Sequence, residues 1–168
     1  MSGNGQKSYG TLDCLNQVAA FHKTFRHPIV SEPAIPEPSR ADLRIRLIRE
    51  ELNELQEAVD QGDITEAADA LCDLQYVLSG AILEFGLADR FPALFNEVQR
   101  SNMSKACSSR EEAEETIHWY DEQKGEEAYM EEHEGMYLVY RKHDKKTLKS
   151  IRYSPAHLEP LVQGKSEC

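Results

Sequence analysis

Between Ser39 and Gly86 two long helical patterns follow one another with only Gly62 and Asp63 between them, so this stretch must fold back as a helix-turn-helix pair. Projected at about 100° per residue, the first pattern gathers Ile45, Leu47, Ile48, Leu52, Leu55, Ala58 and Val59 into one apolar arc. Glu51 falls inside that arc and Glu54 on its edge, while Glu50 and Glu57 project to the opposite side. The second pattern is apolar almost all round, as in a buried helix, except for one stripe of Glu66, Asp69, Asp73 and Tyr76 at spacings of three and four. No Lys or Arg occurs between Glu50 and Asp89. Like charges so placed repel, and burying them unpaired costs several kcal/mol each. Something positive is therefore expected there.

The rest of the chain is predicted around this pair. Leu15, Val18, Ala19 and Phe25 recur at helical spacing after Thr11 or Asp13 as a cap, giving a first helix. Four prolines in residues 27–38 exclude regular structure and make an extended connector or lid. Ser39 with Asp42 resembles a capping box for the second helix, Asp63 caps the third, and Gly86 supplies its left-handed terminator. A fourth helix over 91–106 opens near Pro92 and turns Leu94, Phe95 and Val98 inward. Ser109 with Glu112 predicts an acidic helix over 110–123. Beyond Gly125, period-two segments around a turn at 144–146 predict a small hairpin, with 127–132 as a possible third strand. The expected architecture is an all-α, four-helix core over 11–107 followed by a mixed α+β extension over 108–168.

Length and charge limit the function. A chain of 168 residues can bury a core without staples. A formal charge of −11 repels nucleic acid backbones and anionic membranes, so neither is expected as a partner. Cys14, Cys72, Cys107 and Cys168 form no C-x-x-C pair, which points to reduced thiols in a cytoplasm, and Cys72 is expected to be a small buried hydrophobe. No signal peptide is expected at the N-terminus, and Asp73 and Gln75 interrupt the longest apolar stretch, so no membrane span is expected.

The turn at Gly62 would set Glu51 and Glu54 opposite Glu66 and Asp69, two acidic pairs at three-residue spacing that make an oxygen-only cage for Mg²⁺ or Mn²⁺. A di-iron bundle needs Glu-x-x-His pairs, and neither helix contains a histidine. A solvated acidic face is the competing reading. On spacing alone the two stand level.

Glu50, Glu51 and Glu54 as E-E-x-x-E, followed by Glu66 and Asp69 as E-x-x-D, resemble the motif of the all-α nucleotide pyrophosphohydrolases, which include MazG-like proteins, dimeric dUTPases and phosphoribosyl-ATP pyrophosphohydrolases. "DALCDLQYVLSGAILEFGL", "EVQRSNMSKA" and "KTLKSIRYSP" resemble the phosphoribosyl-ATP pyrophosphohydrolase-like branch. The resemblance implies a MazG-like four-helix fold and cleavage between the α and β phosphates of a nucleoside triphosphate. It implies Glu51, Glu54, Glu66 and Asp69 as ligands of Mg²⁺, with Glu50 or Glu54 accepting the proton of the attacking water. It also implies a homodimer or homotetramer, and Asn102 and Lys105 as substrate contacts.

Several residues keep two readings. Asp73 could bind metal, contact sugar or orient another ligand, and Tyr76 continues its stripe toward the substrate. Lys105 suits a phosphate contact or a cation at a helix C-terminus. His22 suits a hydrogen-bonded core position or a contact in a base pocket. Arg141, Lys142, Lys145, Lys146, Lys149 and Arg152 could close over phosphates or remain a solvated hairpin, and Trp119 with Tyr120 could stack on a base or pack. Three activities are consistent with this reading: house-cleaning of (deoxy)nucleotides, hydrolysis of phosphoribosyl-ATP in histidine biosynthesis, or a catalytically silent nucleotide-binding helical dimer.

Overall fold

The computed structural model describes residues 9–164 and is mostly helical, with one small sheet. The chain forms two compact units that divide between Phe91 and Pro92. The sequence reading drew its line later, after residue 107.

The first unit holds α1 (Cys14–Phe25), α2 (Pro38–Gln61) and α3 (Ile64–Glu84). Gly62, at φ +70°, ends α2 in the left-handed region, and the Asp63 carboxylate accepts hydrogen bonds from the Thr65 and Glu66 amides at 2.9 and 3.2 Å. Two backbone demands are thus met by two consecutive residues, and α2 packs directly against α3. The expected capping box at Ser39 and Asp42 does not form. α2 begins one residue earlier at Pro38, whose missing N–H is no loss there, and the Glu37 carbonyl accepts the Arg40 and Ala41 amides. The proline-rich connector is extended and docked: Val30 and Ala34 amides donate to the Leu83 and Phe85 carbonyls at 3.0 and 3.1 Å. At Gly86 (φ +68°) a Cβ would lie 2.0 Å from the Glu32 carbonyl oxygen, so the close approach and the turn both require glycine.

Val18, Ala58, Ala67, Ala70, Ala81, Ile82 and Leu83 form the buried apolar set of this unit. The all-round burial expected of α3 is not found, because Ile64, Leu71 and Leu78 are exposed. Cys72 is exposed as well, correcting the expectation of a buried thiol: it stands on a flank of α3 that no described segment covers. Cys14, Cys72 and Cys107 are free, and Cys168 lies outside the described residues.

The second unit holds all but the first residue of α4 (Phe91–Met103), with α5 (Arg110–Lys124), β1 (Ala128–His133), β2 (Met136–Arg141) and a short α6 (Glu159–Gln163). Leu94 is buried as expected, but Phe95 and Val98 are exposed. Ser109 caps α5 through the Glu112 amide at 3.2 Å. The expected strand over 127–132 is found as β1, but the hairpin turns at a different place from the expected 144–146. β1 pairs antiparallel with β2 through the turn at Glu134 and Gly135, and residues 147–153 add only an isolated bridge between Tyr140 and Thr147. Both turn residues have positive φ, 50° and 79°, which matches the twist of the flanking strands. Cys107, Ala113, Val139 and Leu148 form the core of this unit, flanked by Ile117, Tyr120 and Met130. No helix among the described residues is long and apolar enough to cross a membrane.

Candidate metal and active site

α2 and α3 each present one polar stripe to the seam between them. On α2, Arg40, Arg44 and Glu51 share a face; on α3, Asp69, Asp73 and, about three turns on, Glu84 share another. The antiparallel hairpin therefore brings Arg40 and Arg44 to Glu84 at one end, and Glu51 toward Asp69 and Asp73 at the other.

At the first end the charges balance. Glu84 is 2% exposed and accepts hydrogen bonds from Arg40 and from the buried Arg44. Burial alone would raise its pKa, yet the two guanidinium groups outweigh that and hold the carboxyl below its ordinary range. Arg44 also donates to His22 Nε2 at 3.3 Å, while His22 Nδ1 donates to the Pro28 carbonyl at 2.8 Å. Burial, the largest influence, pushes the His22 pKa down, and Arg44 adds to it against the opposing pull of the Pro28 carbonyl. His22 is thus a hydrogen-bonded core histidine, 1% exposed. Gly80 makes room for the network: a Cβ there would meet an Arg44 nitrogen at 2.7 Å and His22 Nε2 at 3.1 Å. A cavity of about 280 Å³ adjoins, lined by Phe21, His22, His27, Arg44 and Tyr76 among others. Phe21 meets Tyr76 edge-on at 5.6 Å and stacks on His27 at 5.8 Å.

At the second end the charges do not balance. Glu51 is half-buried, and its carboxyl is pushed above its ordinary range, first by desolvation and then by Glu54, Asp73, Glu50 and Asp69. Glu50, Glu54, Glu66, Asp69 and Asp73 are exposed. Among the described residues, no Lys or Arg forms a salt bridge with any of these six acids. Glu66 is not among the largest influences on Glu51, and its amide is engaged in the Asp63 cap. No three His, Cys, Asp or Glu side chains stand together closely enough to share an ion among the described residues. The donors are nonetheless all carboxylate oxygens, drawn from both helices and electrostatically coupled through Glu51, which is the chemistry a hard divalent cation requires.

A profile of the family described as phosphoribosyl-ATP pyrophosphohydrolase matches residues 18–102, half of the chain. The chain belongs to that family. Through it the chain belongs to the MazG-like nucleoside triphosphate pyrophosphohydrolase superfamily. A relative, the uncharacterized protein L479 of Acanthamoeba polyphaga mimivirus, is 36% identical over 74 residues, which cover 42% of this chain and 30% of the viral protein. The match thus spans less than a third of that relative's length.

The remaining candidates lie in the second unit, apart from Tyr76, which lines the first unit's cavity. Asn102 and Lys105 sit at and just past the end of α4, where Asn102 Oδ1 accepts Lys105 Nζ at 2.8 Å. Sequence reasoning passed over Arg40, Arg44 and Glu84. The signal was present, because Arg44 projects into the middle of the apolar arc of α2, where an unpaired cation would be intolerable.

Proposed function

We propose that this member of the family is a metal-dependent nucleoside triphosphate pyrophosphohydrolase. It would cleave the α–β phosphoanhydride to give a nucleoside monophosphate and pyrophosphate, in house-cleaning of (deoxy)nucleotides. The observation that carries this reading is the crowding of Glu51 by acids of both helices, with no salt bridge from a Lys or Arg among the described residues to offset it. Glu51, Glu54, Glu66 and Asp69 would hold Mg²⁺ or Mn²⁺, with Asp73 as a further ligand or a group orienting one. When bound, such ions neutralise the triphosphate and acidify a coordinated water. Glu50 or Glu54 accepts the proton of the attacking water, and both are exposed and free to do so. Lys105, steadied by Asn102, offers a point charge to phosphate. A base would enter the cavity beside Tyr76, Phe21 and His27, where aromatic faces are available for stacking, with His22 behind them.

Pyrophosphate release from a panel of nucleotides with Mg²⁺ tests this reading. Asp69→Asn and Glu54→Gln should each reduce turnover by ~10²-fold or more while the helical circular dichroism is retained. A second substrate, phosphoribosyl-ATP, is favoured by the family's own description and belongs in the same panel. Tight nucleotide binding without any turnover would instead favour a silent binding protein.

The unit is proposed to act as a homodimer or homotetramer. Ile45, Leu52 and Val59 on α2, and Ile64, Leu71 and Leu78 on α3, recur every seven residues and are all exposed, as two helix stripes awaiting partners would be. Light scattering at micromolar concentration should exceed the 19.1 kDa monomer mass; a monomer would contradict the proposal. Free thiols and a charge of −11 suit a reducing cytoplasm, away from membranes and nucleic acid.

A further inference from the structure

The second unit carries a cavity of about 220 Å³ whose wall is basic, in a chain that is strongly acidic overall. Lys105, Arg141, Lys146 and Lys149 line it, with Tyr120 and a single carboxylate, Glu126. Arg141 is already engaged: it donates to Asp144 at 2.9 and 2.7 Å and to Glu126 at 3.2 Å. The three lysines are not neutralised by a carboxylate among the described residues. Lys105 donates to the neutral amide oxygen of Asn102, and Lys149 lies over the Tyr153 ring at 4.3 Å. Four cations against Glu126 and the adjacent Asp144 leave the wall net positive.

A solvated hairpin would leave such lysines splayed. Here backbone bonds from separate segments fix the chain that carries them. The Ser150 amide donates to the Lys105 carbonyl at 3.2 Å, the Arg141 amide to the Lys146 carbonyl at 2.9 Å, and the Lys149 amide to the Tyr120 hydroxyl at 3.2 Å. Asp144 accepts the Lys146 amide at 3.1 Å, and Lys145 takes a left-handed conformation (φ 58°) to make that turn. Because the Tyr120 oxygen is used as an acceptor, its own proton is left to donate. Lysines carried on a backbone held in this way, with a hydroxyl donor beside them, suit a tetrahedral anion with several oxygens, and the volume admits one or two phosphoryl groups.

We propose that this cavity binds phosphate or diphosphate groups, with Lys105, Lys146 and Lys149 as the holding cations. Lys105 is the one residue shared with the nucleotide reading above; the site requires no turnover at the α2–α3 seam.

Calorimetric titration of the full chain with inorganic pyrophosphate, with EDTA present so that the carboxylates cannot recruit it through a divalent ion, tests the proposal. Saturable binding is expected, with affinity falling at least about tenfold in the Lys146→Gln/Lys149→Gln double variant and largely restored in Lys146→Arg/Lys149→Arg. Both variants alter exposed side chains and should keep the wild-type circular dichroism. Asp69→Asn should bind pyrophosphate as the wild type does while losing turnover, so that failure here and failure of the hydrolase reading remain distinct. Parallel titrations with orthophosphate and a nucleoside monophosphate identify the source of the phosphoryl group: the tightest lysine-dependent ligand assigns it. Absence of saturable binding at millimolar pyrophosphate, equal affinity in the double glutamine variant, or equal binding of sulfate at matched ionic strength would each overturn the proposal.

Discussion

The two ends of the α2–α3 seam both place ionisable side chains on the same helix faces, yet their charges are arranged in opposite ways. At one end Arg40 and Arg44 of α2 meet Glu84 of α3, with His22 and Gly80 shaped around them. At the other, Glu51 of α2 meets like charges, Asp69 and Asp73 of α3, with Glu50 and Glu54 adding to the repulsion. The first cluster is completed by the fold and serves it. The second crowds like charges around a half-buried carboxylate, and under the proposed function it is where a cation from outside would bind.

Breaking the balanced end should have the largest effect. Glu84→Gln removes the only carboxylate among the described residues that neutralises Arg44, whose side chain is 7% exposed, so the guanidinium is left buried without that counterion. Replacement should cost about 3–5 kcal/mol of unfolding free energy, read from urea denaturation. A loss below about 1 kcal/mol would mean that water or rearrangement replaces the carboxylate, and that the contrast between the two ends is overstated.

The unbalanced end should respond the other way. A divalent ion that binds the folded chain alone, at ten times its dissociation constant, adds about 1.4 kcal/mol of stability, visible as a rise in the thermal midpoint. Glu51→Gln relieves the repulsion, so the metal-free variant should be at least as stable as the wild type at neutral pH while losing most of the gain from Mg²⁺. A variant that is less stable than the wild type without metal would show that Glu51 is supported by contacts of the fold rather than opposed by its neighbours.

How far these two ends can be read from sequence alone follows from their physics. Spacing placed Glu51 in the apolar arc and Asp69 and Asp73 on one stripe, because helical periodicity depends only on the chain itself. The break at Gly62 and the cap at Asp63 are equally local, and so is the Ser109 cap. Arg44 carried the same kind of signal as Glu51, but its meaning depends on which α3 residue lies opposite, and that register emerges only on packing. The pairing within the hairpin was misplaced for a similar reason. Met136–Arg141 alternates well enough to pair with either neighbour, and the choice of β1 rests on a turn made by Glu134, a residue type with no strong preference for positive φ. Burial of Phe95 and Cys72 depends on what covers them, which no pattern within their own helices records.

The smallest effect is the most diagnostic, because acid should act on the two ends with opposite sign. Glu84, held below the ordinary carboxylate range, contributes stability that is present above about pH 4.5 and fades as the pH falls through its lowered value. His22, pushed below 6.5, binds a proton less readily in the folded chain than in the unfolded one, so stability also declines as the pH drops below about 6.5. Glu51 runs against both. Its raised pKa gives a contribution that is complete below about pH 4.5 and is lost as the pH rises through the raised value. Metal-free wild-type protein should therefore show a shallow decline in urea midpoint between pH 7 and pH 4, and Glu51→Gln, lacking the opposing group, a steeper one. Parallel profiles would mean that the acids around Glu51 are screened by solvent, and the repulsion assigned to that end of the seam would then have to be withdrawn.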